Sequence, residues 1–179
     1  MFNNLLTFNQ PLDSWDISSV NNMEDMFRGA QSFNQPLNSW DTSSVNNMAN
    51  MFRSAQSFNQ PLNSWNVSSV TNMELMFSAA SSFNQPLNSW DVSNVTNMSA
   101  MFNESAFNQP LDSWDTSSVT DMSFMFSVAP FNYPIDSWDV SSVTNMRRMF
   151  QQEPNNGLQT FNQPLNSWNV SNVSDMEGM

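Results

Sequence analysis

Cysteine, histidine and lysine are all missing from this sequence of 179 residues, and its only cations are Arg28, Arg53, Arg147 and Arg148. Without cysteine there is no disulfide staple and no thiol chemistry; without histidine the commonest general base and the usual zinc sites are gone as well. The 16 acidic residues outweigh four arginines to give a formal charge of −12, which excludes an electrostatic grip on a phosphate backbone, so nucleic acid is not an expected partner. Glycine occurs only at Gly29, Gly157 and Gly178, which rules out collagen-like and flexible-linker compositions. No apolar run approaches the roughly 18 to 20 residues of a membrane span, and residues 1–7 lack the charged start and apolar centre of a signal peptide.

What is present is a repeat. The composite unit Phe-Asn-Gln-Pro-Leu-Asn-Ser-Trp-Asp-Val-Ser-Ser-Val-Thr-Asn-Met-x-x-Met-Phe recurs with Trp15, Trp40, Trp65, Trp90, Trp114, Trp138 and Trp168, at spacings of 25 three times, 24 twice and 30 once. A period in this range marks a solenoid, in which no unit can bury its apolar face alone and neighbours stack to make one continuous core. A single repeat array over residues 1–179 is expected, its seven units opening at Phe8, Phe33, Phe58, Phe83, Phe107, Phe131 and Phe161. Phe2 precedes Phe8 as Phe27 precedes Phe33, and Met179 follows Trp168 as Met26 follows Trp15, so partial repeats stand at both ends. The absence of a polar capping unit predicts a segment of a longer array or a unit that stacks end to end.

Within the first full repeat, Leu12-x-x-Trp15-x-Ile17 has the L-x-x-L-x-L spacing of leucine-rich repeats. Trp15 and Ile17 are expected to face the core while Ser14, Asp16 and Ser18 face solvent, as in a short strand entered at Pro11. Seven such strands predict a parallel sheet about 30 Å long. The exceptionless column Asn9, Asn34, Asn59, Asn84, Asn108, Asn132 and Asn162 predicts an amide ladder that satisfies backbone groups in a bend. Met23, Met26, Phe27 and Ala30 then fall at i, i+3, i+4 and i+7, one face of a short helix, and Thr71-x-x-Glu74 resembles a capping box. The expected fold is therefore an α/β solenoid, a leucine-rich-repeat-like array of short parallel strands and short helices. A parallel β-helix is the alternative, requiring the Met-x-x-Met-Phe segment to be extended. The fifth unit loses one residue near Asn103–Ala106 and the sixth gains an insertion loop over 151–160, both after the expected helix.

The run from Phe33-Asn34-Gln35-Pro36-Leu37 through Trp40-Asp41 to Met48-Ala49-Asn50-Met51-Phe52 resembles the surface-protein repeat, about 25 residues long, of the BspA-like leucine-rich-repeat family (DUF285-type). The likeness spans nearly the whole chain. It implies a leucine-rich-repeat-like fold and an extracellular or cell-surface location, with adhesion or matrix binding assigned to some members.

Chemistry has few places to sit. Aspartates stack on adjacent rungs in two outward columns, and Asp112, Asp115, Asp136 and Asp139 together are the candidate calcium ligands, calcium being the one cofactor considered. At about 5 Å two carboxylates repel by roughly 1 kcal/mol or less in a water-like medium, which a hard cation relieves; a solvated acidic face, or aspartates capping nearby N–H groups, accounts for the same columns. A catalytic carboxylate pair needs two unlike environments, which near-identical rungs do not supply, and the serine columns have no histidine or lysine to activate them, so no enzyme is expected. The second variable residue of Met-x-x-Met runs Asp25, Asn50, Leu75, Ala100, Phe124, Arg148, Gly178. It places Leu75, Ala100 and Phe124 in a row as a candidate partner-binding strip, or as side chains folded over the core. Asn-x-Ser/Thr sequons at Asn66, Asn94, Asn97, Asn103, Asn169 and Asn172 permit glycosylation of a secreted eukaryotic chain.

These features point to a non-enzymatic extracellular or cell-surface scaffold for adhesion or protein–protein binding, its partner another protein or the extracellular matrix. The alternative is a structural subunit that partners itself, assembling a filament or appendage by end-to-end or lateral contacts. Calcium- or glycan-dependent adhesion ranks below both.

Overall fold

The computed structural model describes residues 2–152 and 161–179, so most of the expected insertion loop 151–160 lies outside the described residues. The repeats stack as rungs, and the backbone of each is bonded to the equivalent residues of the next. Single-residue parallel bridges run Asn22 to Asn47, Asn47 to Asn72, Asn72 to Asn97, Asn97 to Asp121, Asp121 to Asn145 and Asn145 to Asp175.

The expected strands and helices are not there: among the described residues no helix forms, and extended pairing is confined to those isolated bridges. This overturns the α/β array of strands and helices, and the parallel β-helix with it. The reason is visible in where the N–H groups go. Around Trp15, turns close from Trp15 N–H to the Leu12 carbonyl at 3.1 Å and from Val20 N–H to the Ile17 carbonyl at 2.8 Å, leaving no room for a strand between them. Ser18 N–H is taken by the Asp16 carboxylate at 3.0 Å. Side chains make the inter-rung bonds here instead: Ser39 Oγ donates to the Asp13 carbonyl at 3.0 Å and Trp40 Nε1 to the Leu12 carbonyl at 3.0 Å.

The Met-x-x-Met-Phe segment is a run of overlapping turns. Met26, Arg28 and Ala30 donate locally to Met23, Asp25 and Phe27, while Met23, Asp25, Phe27 and Gly29 donate to Asn47, Ala49, Met51 and Arg53 of the next rung. An α-helix would need all these N–H groups within one rung. It also cannot contain the left-handed residues Asp25 and Gly29, at φ 58° and 67°, each the third residue of a turn. Thr71, read as a helix cap, donates its hydroxyl to the Asn46 carbonyl of the preceding rung.

Burial follows the expected columns even though the backbone does not. Phe27, Phe52, Phe77, Phe102 and Phe126 form one buried column and Phe33, Phe58, Phe83, Phe107 and Phe131 a second. Rings stack along each column, Phe77 on Phe102 at 5.8 Å and 2°, and pair across the rung, Phe77 on Phe83 at 4.0 Å and 5°. Offset stacks of this kind add to area burial. Trp15 departs from its column: it is 41% exposed where Trp40 is 4%. Two buried hydroxyls take up carbonyls of the next rung, Thr42 with Asn66 and Thr116 with Asp139, each at 2.9 Å. Among the described residues no buried side-chain nitrogen or oxygen lacks a partner.

Candidate interaction surfaces

The outward aspartate column is a set of turns. Asp16, Asp41, Asp91, Asp115 and Asp139 each accept the N–H of the serine two residues on, at 2.9–3.2 Å, and Asn66 and Asn169 do the same with Ser68 and Ser171. For Asp16, Asp41, Asp91 and Asp139 the serine hydroxyl first and its N–H second hold the carboxyl below its ordinary value. The four residues considered for calcium are engaged separately. Asp112 accepts from Asn88 Nδ2 at 3.1 Å, Asp136 from Ser167 N–H at 2.8 Å and its hydroxyl at 3.0 Å, and Asp115 and Asp139 from their serines. Among the described residues no three acidic side chains are grouped to hold a metal ion.

The invariant asparagines form the expected amide ladder. Asn59 Oδ1 accepts Asn84 N–H and Gln85 Nε2, both at 3.0 Å, and the same acceptor role recurs at Asn9, Asn34, Asn84, Asn108 and Asn132. These amides are spent on the fold. So are the serine columns: Ser64 Oγ donates to the Asn38 carbonyl and Ser89 Oγ to that of Asn63.

The run of turns presents a different surface. Its left-handed column is Asp25, Asn50, Leu75, Ala100, Phe124, Arg148 and Gly178, with φ between 53° and 69°. A second column four residues on is Gly29, Ser54, Ala79, Glu104 and Val128, with φ between 55° and 67°. Leu75 and Phe124 are half-buried and Ala100 is 8% exposed, so the strip read from the sequence exists as a row on one ridge, partly folded against its neighbours. The Arg148 guanidinium lies over the Phe124 ring at 5.9 Å and lengthens that row.

Charge is segregated on this ridge. All four arginines stand there, Arg28 and Arg53 three residues after the first left-handed column and Arg147 and Arg148 at its sixth rung. Arg28 pairs with Asp25 at 3.4 Å; Arg147 meets Glu177 at 2.9 Å and Asp175 at 3.9 Å, and Arg148 meets Glu177 at 3.2 Å. Glu24, Glu74 and Asp121 also stand here, accepting from Asn47, Asn97 and Asn145 of the next rungs. The spacing of the repeat places Leu75, Ala100 and Phe124 in one row but gives no sign of the left-handed backbone beneath them. The signal available was Asp25, Asn50 and Gly178 in the same column, three residue types that tolerate positive φ.

Among the described residues no helix is long and apolar enough to cross a membrane. No curated protein and no solved structure matches the chain. The chain belongs to the family described as Mycoplasma protein of unknown function, DUF285, whose model matches residues 1–113 and 103–179.

Proposed function

We propose that the chain is a non-enzymatic extracellular or cell-surface scaffold of the BspA-like repeat type, binding another protein or a matrix component through the ridge of turns. One observation carries this reading: Leu75, Phe124, Val128 and Arg148 occupy left-handed backbone. A bulky L-residue there costs roughly 1–2 kcal/mol where glycine costs little. Folding alone favours glycine or asparagine at these positions, whereas the core columns hardly vary. Strained positions with varied, partly exposed side chains on a uniform frame are what a recognition surface needs. The test compares wild type with Leu75→Gly/Phe124→Gly/Arg148→Gly for binding to purified extracellular-matrix proteins. Binding lost in a folded triple variant supports the ridge; unchanged affinity, or no binding by wild type to any of them, counts against it.

A filament subunit is the second reading. Apolar recesses of about 320 Å³, lined in part by Trp15, Ile17, Val20 and Met23, and about 390 Å³, lined by Phe150, Phe161, Leu165 and Met179, give a second copy apolar surface to pack against. Concentration-dependent growth into rods in sedimentation velocity is its expected outcome, and a single species of constant size would refute it.

A further inference from the structure

We infer that the ridge of turns docks a second copy of this chain, antiparallel, about a two-fold axis between the third and fourth rungs. The inference rests on the ridge being an interaction surface and names its partner. A chain of charge −12 repels its own copies over most of its surface. The ridge is the exception. It carries every arginine together with Glu24, Asp25, Glu74, Glu104, Asp121, Asp175 and Glu177, so these eleven charges sum to 4 − 7 = −3, whereas the other eight charges among the described residues are all negative.

The order of charge along the ridge selects the orientation. The first rung contributes Glu24 and Asp25, the middle rungs Leu75, Ala100 and Phe124, and the sixth rung Arg147 and Arg148. A two-fold axis along the stack would set each rung against itself, arginine pair on arginine pair and acid pair on acid pair. A two-fold axis across the stack reverses rung order and keeps each column opposite itself. Glu24 then faces Arg147, Asp25 faces Arg148, Asn50 faces Phe124 and Leu75 faces Ala100, and every contact is made twice, as an isologous dimer requires. Arg53 falls diagonally beside Glu104. The resulting interface is apolar at its centre and ionic at its two rims, the usual anatomy of a protein contact.

Existing ion pairs do not block this. The Arg147 and Arg148 side chains remain 36% and 37% exposed, and that of Asp25 is 33% exposed. Exposed pairs are weakly held and re-partner at small cost.

The test uses sedimentation equilibrium of the full chain and two charge reversals, Arg147→Glu/Arg148→Glu and Glu24→Arg/Asp25→Arg, each checked for folding by circular dichroism. The expected results are a dimer for wild type, at least tenfold weaker self-association for each reversal alone, and recovery when the two variants are mixed, because acid again meets base at both rims. A wild-type monomer at every concentration overturns the inference, as does a mixture no more associated than its components. Either failure leaves matrix binding to be judged by the glycine variants, so loss of the dimer and loss of the ridge as a binding surface are separate results.

Discussion

The indole Nε1 of Trp90 donates a 2.9 Å hydrogen bond to the carbonyl of Leu62, a residue 28 positions earlier and one rung away. The same bond recurs from Trp40, Trp65, Trp114, Trp138 and Trp168, so each of these tryptophans is an inter-rung tie and all but the half-buried Trp168 are core side chains as well. Trp90→Ala removes a side chain 3% exposed and should cost about 3–5 kcal/mol. Trp90→Phe keeps most of the ring packing and loses the donor; Leu62 still accepts Trp65 N–H at 3.0 Å, so the loss should be nearer 1 kcal/mol from the bond, plus the smaller ring's packing deficit. Denaturant midpoints for the two variants check the order, and equal losses would deny the tie any separate role.

A second prediction concerns the amide ladder. Asn59→Ala leaves Asn84 N–H and Gln85 Nε2 without their acceptor in a half-buried bend, at about 1–3 kcal/mol for each donor left unpaired. Asn59→Asp keeps an oxygen in place and should lose markedly less. Hydrogen exchange at the Asn84 amide reads the bond directly: fast in the alanine variant, slow in wild type and aspartate variant.

The contrast between these columns and the backbone explains what was legible. Of the face expected from Met23, Met26, Phe27 and Ala30, Met23, Phe27 and Ala30 are buried and Met26 is half-buried; the Asn9 column, expected to be a ladder, is one. The i, i+3, i+4, i+7 pattern specifies which side chains face inward, and turns four residues apart satisfy it as well as a helix does. What separates the two is a left-handed residue at each turn, and Leu75, Phe124 and Val128 give no local sign of it. The parallel bridges were missed because they fall on Asn22, Asn47, Asn72 and Asn97, a residue type poor in strands. Trp15 stands exposed although its side chain is that of buried Trp40, since its environment depends on the rung beside it.

The third prediction is a pH dependence. Asp16, Asp41, Asp91 and Asp139 have carboxyls lowered from 3.8, through the hydroxyl and then the N–H of the following serine. Carboxyls depressed in the folded state contribute stability that is fully present above the unfolded value and is lost as pH falls through the folded one. The denaturation midpoint should therefore change little between about pH 7 and 5 from these groups and fall below about pH 4. Replacing all four with asparagine should flatten that acid limb while preserving the turns, because Asn66 and Asn169 already accept Ser68 and Ser171 N–H at 3.1 and 3.2 Å. An acid limb unchanged in the quadruple variant would assign the loss to other carboxylates.

The last prediction addresses strain. Val128 is β-branched and sits at φ 56°, a backbone region where such a side chain is a genuine outlier. The fold holds it there because Val128 N–H donates to the Gln151 carbonyl at 2.7 Å and the turn it completes places Phe126 and Ala129 in the core. Replacing it with glycine removes the clash between Cβ and the backbone, worth roughly 1–2 kcal/mol, against a glycine entropy cost of about 0.5–1 kcal/mol. Val128→Gly should accordingly raise stability by up to about 1 kcal/mol, offset in part by lost packing of a half-buried side chain. Val128→Ala tests the mechanism: it keeps Cβ and with it most of the strain, so it should not stabilise. If alanine gains as much as glycine in the same denaturation measurement, backbone strain is not what distinguishes this column, and retention of its side chains needs no recognition role.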